Sequence, residues 1–479
     1  METSNKGIGR DIGKLVSGTL VAQIVGICLY PIITRLFSPE SYGLYSVFIS
    51  TVSVLTICSC LRYELAILLP DNDEDGGSLC LVALLIVLLF SVALAVVLLI
   101  FGDSLLDLLN MSELADYMFM IPILVLINGL FQALRYWNTR RKRFGTQAFT
   151  QALQSLSDNG SKTGFGMMGY TSSLSLLLSS IFGNLLGLLI LSFQTLRKDF
   201  KILKSSLSIR KIKQQLIRYK KFPLIDLWSG LMNNLSWQLP TLMLSSFFNP
   251  AIAGLYSLGY MMILLPMNFV GNSIRQVFVQ RAAIAKQSGN LSKLSEEICS
   301  TLVVLSVLPY LLLLVLGKDL FSFVFGLEWA MSGVFVQILS IWAVVWFVSS
   351  VITDLIYVLE LQEYNIRYTA FNLISRFFVL FVGGVVCDVY LALFLFSAVG
   401  ILTYGHMSYF VLKRAGSSFG NILKNIKWPL ILSIIIIMVV TTVSFCLTNS
   451  LITYSVAFIG GCIYYALIFT KSPIIKSIL

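Results

Sequence analysis

The chain has few charged residues for its length. Asp, Glu, Lys and Arg make up 12% of its 479 residues, and 57% are hydrophobic, whereas soluble domains carry about 25% charged residues. A surface with so little charge excludes a soluble globule and predicts an integral membrane protein. The apolar runs exceed the roughly 18 residues that cross a bilayer as a helix, and they lack the alternation of β-barrel strands. We therefore expect an all-α polytopic fold.

Residues that serve metal, redox and phosphate chemistry are also scarce. His406 is the one histidine, and the eight cysteines lie in or beside apolar stretches, where cysteine behaves as a small hydrophobe. The sequence therefore predicts neither a metal site nor a disulfide framework. A Gly-rich phosphate loop of the Walker type is absent, which argues against ATP hydrolysis. We expect no cofactor and no enzymatic activity, so energy must come from an ion gradient, the membrane potential or a cargo gradient.

About fourteen apolar segments are long enough to cross the membrane, and Lys and Arg orient them. The basic residues collect in alternate connections, above all at 140–143 and at 197–221, which holds ten, whereas the opposite connections contain only Lys318. By the positive-inside rule, the basic connections and both termini are cytoplasmic. The polar start and the long first segment predict an anchor rather than a cleaved signal. The predicted spans are 15–37, 43–65, 79–101, 117–136, 148–169, 174–196, 223–247, 254–275, 298–317, 334–356, 369–388, 390–412, 429–447 and 452–470.

The fifth of these segments, 148–169, is polar and rich in glycine, so hydropathy alone does not identify it. If it did not cross, one of the basic connections 140–143 and 197–221 would lie outside. The charge rule places both inside, so we expect the segment to cross. Because the basic stretches flank membrane spans, they favour contact with anionic lipid headgroups over nucleic acid.

A ten-residue motif occurs twice, at 37–46 and at 248–257. Six of its ten positions are identical, and both copies end in Gly-Leu-Tyr-Ser. The offset of 211 residues predicts two six-helix lobes, 1–211 and 212–422, with an additional helix pair at 423–479. An even number of spans lies before the second copy, so the lobes are parallel and related by a pseudo-twofold axis along the membrane normal. We expect the motif to be architectural, with its tyrosines at the interfacial aromatic level, and the cargo path to lie between the lobes.

The fifth span carries a polar stripe at helical spacing. Gln151, Ser155, Asp158 and Lys162 lie on one face of the helix, and 160–164 reads Gly-x-x-x-Gly, which permits close helix contact. Charges in the bilayer core are costly unless they pair or face water. Lys162 is therefore a candidate for cargo binding and Asp158 for ion coupling. A structural Asp158–Lys162 pair and a broken or re-entrant segment are the alternatives.

Three arginines are further candidates for cargo binding. Arg376 lies about seven residues into the eleventh span, too deep to reach the interface easily. It is either a cationic contact for an anionic cargo headgroup or a buried partner of Asp354 or Glu360. Arg62, near the inner end of the second span, and Arg35, near the outer end of the first, are more simply explained by snorkelling to the interface. Asp226 and Arg275, near inner helix ends, are more simply structural.

The residues around the first motif resemble a known family. The runs 29–45 (LYPIITRLFSPESYGLY) and 61–70 (LRYELAILLP), with 325–329 (FGLEW) in the second half, resemble the polysaccharide biosynthesis (O-antigen flippase) family. That family belongs to the multidrug/oligosaccharidyl-lipid/polysaccharide exporter superfamily. The resemblance covers the first twelve spans and rests on architectural motifs. The polar fifth span departs from it.

The resemblance implies a flippase of the bacterial inner membrane. Its cargo would be an undecaprenyl-pyrophosphate-linked oligosaccharide repeat unit for lipopolysaccharide or another surface polysaccharide. Cationic residues of a central cavity would bind the pyrophosphate, which fits Arg376, Lys162, Arg62 and Arg35. Membrane lipids, a coupling H⁺ or Na⁺ and other polysaccharide assembly proteins are the further partners expected. The alternatives are an ion-coupled multidrug or small-molecule exporter of the same superfamily, a polytopic polymerase or glycosyltransferase, which the short outer connections disfavour, and a non-transporting scaffold.

Overall fold

The computed structural model describes residues 23–108, 110–446 and 450–471, and the regular structure of these residues is helical, without strands. Within the described residues, long helices occupy all fourteen predicted spans, which confirms the all-α membrane fold. Both termini and the basic residues Lys6, Arg10 and Lys14 lie outside the described residues. The long helices are α1 Gln23–Leu36, α2 Pro39–Ser59, α3 Asp73–Leu108, α4 Met120–Arg140, α5 Phe144–Met167, α6 Ser173–Ser205, α7 Leu227–Phe247, α8 Pro250–Pro266, α9 Leu291–Phe325, α10 Ala330–Ile352, α11 Gln362–Val385, α12 Val389–Arg414, α13 Phe419–Cys446 and α14 Ser450–Lys471.

Eleven helices among the described residues are long and apolar enough to cross a membrane by these properties alone. The other three are α1, of which 14 residues are described, α5 and α7. Helix α5 is continuous over 24 residues, longer than the roughly 20 residues that span a bilayer. Its polar stripe makes it less apolar than the other long helices. A broken segment, one of the predicted alternatives for the fifth span, is not observed.

The repeated motif starts a helix in both copies. Ser38 caps α2 by accepting a hydrogen bond from the backbone N–H of Ser41 at 3.2 Å, and Asn249 accepts one from the N–H of Ile252 at 2.9 Å. Each cap is followed by proline, whose missing N–H is no loss at the first helical position. Both copies of the motif therefore begin a helix in the same way.

The two copies of the motif also contact each other. A Cβ atom on Gly43 would lie 1.8 Å from the carbonyl oxygen of Pro250, and one on Gly254 would lie 2.2 Å from that of Pro39. No side chain fits in either gap, so both positions require glycine. The glycines thus allow backbone contact between the first turns of α2 and α8.

The chain divides into two compact units, Met1–Gly254 and Leu255–Leu479. In the first unit, Phe48 of α2, Leu124 of α4 and Leu177 of α6 belong to one fully buried cluster. In the second, α9 and α10 cross at Gly317 and Gly333, where a Cβ on Gly333 would lie 2.2 Å from the carbonyl oxygen of Gly317. The lobe boundaries predicted from the repeat, 1–211 and 212–422, remain a prediction.

One expected helix contact is absent from the described part of the chain. A Cβ atom added to Gly160 or Gly164 would meet no atom within 4 Å. Helix α5 packs instead through its other face, where a Cβ on Gly183 of α6 would lie 2.9 Å from the Cβ of Asp158. The Gly-x-x-x-Gly spacing predicted that the glycine face of α5 packs against another helix, whereas the face that carries the polar stripe packs instead.

Candidate functional site

The first candidate cluster surrounds Lys162 on α5. Its ammonium group donates hydrogen bonds to Asp158 Oδ2 at 2.8 Å and to the Tyr45 hydroxyl at 2.9 Å. Ser180 of α6 donates to Asp158 Oδ1 at 2.9 Å and lies 3.0 Å from the Tyr45 oxygen. Because the Ser180 proton is used for Asp158, Tyr45 is the donor to Ser180. Helices α2, α5 and α6 are thus joined by one closed ring of hydrogen bonds.

This ring explains how a lysine can be buried at this position. The Lys162 side chain is 3% exposed, and that of Asp158 is 25% exposed. Burying an ion without compensation costs several kcal/mol, but here each charge has an opposite charge and a hydroxyl within hydrogen-bond distance. The ammonium also lies 4.5 Å from the centre of the Tyr45 ring, which adds a cation–π contact. The predicted Asp158–Lys162 pair is therefore present.

The second candidate cluster surrounds Arg376 on α11, which is 0% exposed. Its Nη2 donates a hydrogen bond to the Tyr404 hydroxyl at 3.1 Å. The guanidinium carbon lies 5.0 Å from the centre of the Phe396 ring and 5.4 Å from that of Tyr404. Asn372, one turn before Arg376, also donates to the Tyr404 hydroxyl, at 3.4 Å. Aromatic faces and a hydroxyl thus contact the arginine.

The carboxylates that were its alternative partners bind other cations. Asp354 is hydrogen-bonded to Arg275, at 2.8 Å for the Nη2–Oδ1 pair, and Glu360 lies 3.4 Å from Lys286. The prediction that Asp354 or Glu360 neutralises Arg376 is therefore wrong, whereas the structural interpretation of Arg275 fits its contact.

The two clusters lie on helices at the same distance from a motif copy. Lys162 is on α5, the third of the long helices after α2, and Arg376 is on α11, the third after α8. Tyr45 binds Lys162 directly. Tyr256, which is 1% exposed, stacks on Tyr260, and Tyr260 stacks on Trp342. The expectation that the motif tyrosines lie at the interfacial aromatic level remains a prediction.

The other two predicted cations have different surroundings. Arg62 Nε donates to Asp226 Oδ2 at 2.8 Å, and its Nη1 lies 3.7 Å from Glu64 Oε1. Its side chain is 19% exposed, so it forms an ion pair beside the N-terminus of α7 rather than snorkelling freely. Arg35 is exposed near the end of α1.

Sequence reasoning missed several members of both clusters. The repeat could have pointed to Tyr45 and Tyr256. A residue that is identical in both copies and lies near a close glycine contact is rarely exposed. Ser180 and Tyr404 gave no signal, since each is one of many polar residues on apolar helices, and only the packing of α6 and α12 brings them to the cations. Asn372 lies on α11 one turn before Arg376, so helical spacing could have identified it.

The sequence matches a known protein family. A family model described as "Polysaccharide biosynthesis protein" matches residues 32–334. No curated protein matches the chain in sequence.

Three solved structures share the fold. One titled lipid II flippase MurJ in an inward closed conformation has a TM-score of 0.74 at 13% identity, covering 95% of this chain and 99% of that chain. A multidrug resistance MATE family transporter of the MOP superfamily, facing inward, has a TM-score of 0.62 at 12% identity, covering 83% of this chain and 98% of that one. The Vibrio cholerae MATE transporter VcmN, as a mutant, has a TM-score of 0.55 at 14% identity, with coverage of 86% and 96%.

Proposed function

The chain belongs to the polysaccharide biosynthesis protein family, and on this premise we propose that it is a lipid-linked oligosaccharide flippase. It moves an undecaprenyl-pyrophosphate-linked repeat unit, for O-antigen or another surface polysaccharide, from the cytoplasmic to the outer leaflet of the bacterial inner membrane by alternating access. The family match over residues 32–334 carries this proposal. The likeness to a structure titled lipid II flippase supports it at the level of the fold.

Buried cations support the choice of an anionic cargo. Lys162 and Arg376 are buried on helices of a membrane protein, where a charge is costly and therefore a functional candidate. Together with Arg62 and Arg35 they supply four cations that can attract a pyrophosphate. The polyprenyl tail needs no polar site, because it stays in the lipid.

A reconstitution experiment tests this function. The full-length protein is placed in proteoliposomes with undecaprenyl pyrophosphate that carries one fluorescent N-acetylhexosamine. A membrane-impermeant reductant then measures the fraction of probe in the outer leaflet over time. We expect protein-dependent equilibration of this probe but not of fluorescent phosphatidylglycerol. Equal movement of both lipids, or of neither, contradicts the proposal.

The cationic contacts are tested in cells. Arg376→Ala should abolish surface polysaccharide while the protein still inserts into the membrane. Lys318→Ala, which removes an exposed cation outside the candidate site, is the matched control and should leave surface polysaccharide unchanged. Normal surface polysaccharide in the Arg376 variant refutes its assignment as a cargo contact.

We propose Asp158 as the residue that couples transport to a proton or sodium ion. One of its oxygens binds Lys162 and the other accepts from Ser180, so protonation of the carboxylate or binding of a cation would open the ring. Asp158→Asn keeps the shape of the side chain and removes its charge. Full flipping with unchanged dependence on H⁺ and Na⁺ in this variant contradicts the coupling role.

Ion-coupled export of small molecules is the second candidate, and the likeness to MATE transporters favours it. A deletion strain distinguishes the two functions. Accumulation of lipid-linked sugar in the cytoplasmic leaflet supports the flippase, whereas altered drug sensitivity alone supports the exporter.

A further inference from the structure

A polar cavity lies between the first turns of α9 and α13, and none of its lining residues belongs to either candidate cluster. Its volume is about 560 Å³, within the roughly 300–1,000 Å³ typical of small-ligand sites. Apart from Gly289, every lining residue is polar or charged. Such walls suit a polar or ionic ligand.

Three of the four charged residues in this cavity have no ionic partner. Glu296 is already used, because it accepts a hydrogen bond at 2.6 Å from the backbone N–H that precedes α13. Lys293, Glu297 and Lys424 form no ion pair among the described residues. Lys293 and Glu297 are four residues apart on α9, a spacing at which opposite charges commonly pair. Since they do not pair here, both are available to a ligand.

The signs of these charges define the chemistry of that ligand. The ammonium groups of Lys293 on α9 and Lys424 on α13 suit a phosphate, which accepts charge-assisted hydrogen bonds from both. The Glu297 carboxylate repels a simple anion and suits an ammonium group. With Glu296 included, the charges that line the cavity sum to zero. A zwitterion that carries a phosphate and an ammonium group therefore fits better than a ligand with a net charge.

The surface beside the cavity favours a lipid over a soluble phosphate ester. Trp428 lies one turn after Lys424 on the same face of α13 and is 51% exposed, and Leu423 is 62% exposed. Tryptophans of membrane proteins are enriched where headgroups meet acyl chains. A phosphate bound by Lys424 thus has apolar surface directly beside it, on which acyl chains can lie. In the predicted orientation, this end of α13 is cytoplasmic.

We propose that this cavity binds the headgroup of a zwitterionic phospholipid with a primary ammonium group, such as phosphatidylethanolamine. Its phosphate accepts from Lys293 and Lys424, its ammonium donates to Glu297, and its acyl chains lie along α13 beside Trp428. The bound lipid thus contacts both α9 and α13. It is a membrane component rather than the cargo, so the site does not depend on what the protein transports.

Lipid binding to the delipidated full-length protein in detergent tests the site. Short-chain phosphatidylethanolamine is titrated, and bound lipid is measured by native mass spectrometry. We expect it to bind about tenfold more tightly than phosphatidylcholine, whose quaternary ammonium has no N–H to donate to Glu297. Glu297→Gln should remove most of this preference, and Lys424→Gln should weaken binding of both lipids. Lys427→Gln is the matched control, since Lys427 is exposed on the same helix outside the cavity lining.

Two further ligands distinguish the alternatives. Short-chain phosphatidylglycerol has a phosphate without an ammonium group, and binding as tight as that of phosphatidylethanolamine would overturn the zwitterion. Phosphoethanolamine has no acyl chains and should bind at least tenfold more weakly than the lipid, whereas equal binding would assign the site to a soluble phosphate ester. An unchanged lipid preference in Glu297→Gln, or equal weakening in Lys427→Gln and Lys424→Gln, also overturns the proposal. The wild-type lipid series and Lys424→Gln keep the site testable if Glu297→Gln does not fold.

Discussion

At the scale of single residues, Tyr45 and Tyr256 occupy equivalent positions of the repeat in different surroundings. The Tyr45 hydroxyl accepts from Lys162 and bonds to Ser180. The Tyr256 hydroxyl is buried without a hydrogen-bond partner among the described residues. The same substitution at the two positions should therefore have opposite effects on stability.

Tyr45→Phe should lower the free energy of unfolding by about 1–3 kcal/mol, because Lys162 and Ser180 each lose a partner. Tyr256→Phe should raise it by up to about 1 kcal/mol, since it removes a buried hydroxyl that makes no hydrogen bond among the described residues. Thermal unfolding of both purified variants measures the difference. Destabilisation by both substitutions to the same extent contradicts this account.

Charged side chains show what the sequence predicts at this scale and where it stops. The Asp158–Lys162 pair is predictable because residues four apart on a helix are neighbours. The Arg376 contacts are not, because Phe396 and Tyr404 come from α12 and reach the arginine only through helix packing. For the same reason, nothing in the sequence shows that Arg62 pairs with Asp226, 164 residues away.

At the scale of helices, the contact between the first turns of α2 and α8 depends on two glycines. Gly43→Ala would place a Cβ 1.8 Å from the Pro250 carbonyl oxygen. Because backbone atoms on both sides must move, we expect a loss of at least about 3 kcal/mol and little folded protein in the membrane.

Gly160→Ala on α5 is the matched control for this prediction. No atom lies within 4 Å of the added methyl group, and alanine in a helix is favoured over glycine by about 0.5–1 kcal/mol. Fluorescence-detected size-exclusion chromatography compares the two variants. Equal yields of monodisperse protein would show that the α2–α8 contact is not needed for folding.

The additional helix pair α13–α14 is attached to α9 through a buried carboxylate. Glu296 accepts hydrogen bonds from the backbone N–H of Ser418 at 2.6 Å and from Asn421 at 3.0 Å. These bonds hold the residue before α13 and a side chain of its first turn, and the Glu296 carboxylate lies favourably at the positive end of the helix.

Glu296→Ala should therefore release the start of α13 and increase proteolysis near 415–421 in detergent, with a loss of about 1–2 kcal/mol. Glu297→Ala, at the adjacent position, should not change the cleavage pattern. Limited proteolysis with mass spectrometry makes the comparison. Unchanged cleavage in the Glu296 variant would mean that α14 alone attaches the helix pair to α9. It would do so through hydrogen bonds such as that from the Tyr465 hydroxyl to the Leu305 carbonyl.

Helix positions were predictable to within several residues at most ends, whereas helix faces were not. The parity of the basic connections correctly identified α5, although its hydropathy is low. The sequence does not indicate which side of α5 packs, because the polar stripe and the glycine pair suggest different contact faces.

At the scale of the whole molecule, the charge pattern predicts the orientation in the membrane. Ser112, between α3 and α4, should face outward, and Ser205, at the end of α6, should face the cytoplasm; both are exposed. In a variant without its eight cysteines, Ser112→Cys should react with an impermeant maleimide in intact cells. Ser205→Cys should react only after permeabilisation, and the reverse pattern would refute the orientation.

The bond between Asp158 and Lys162 also has a consequence for biogenesis. Both residues belong to α5, so their bond forms within a single helix and requires neither Tyr45 of α2 nor Ser180 of α6. The nascent segment can therefore leave the translocon with its two charges already neutralised, which lowers the cost of inserting the least apolar span. The hydrogen bonds to α2 and α6 then join α5 to its neighbours. The Asp158–Lys162 contact thus helps the helix to insert first and the helices to assemble afterwards.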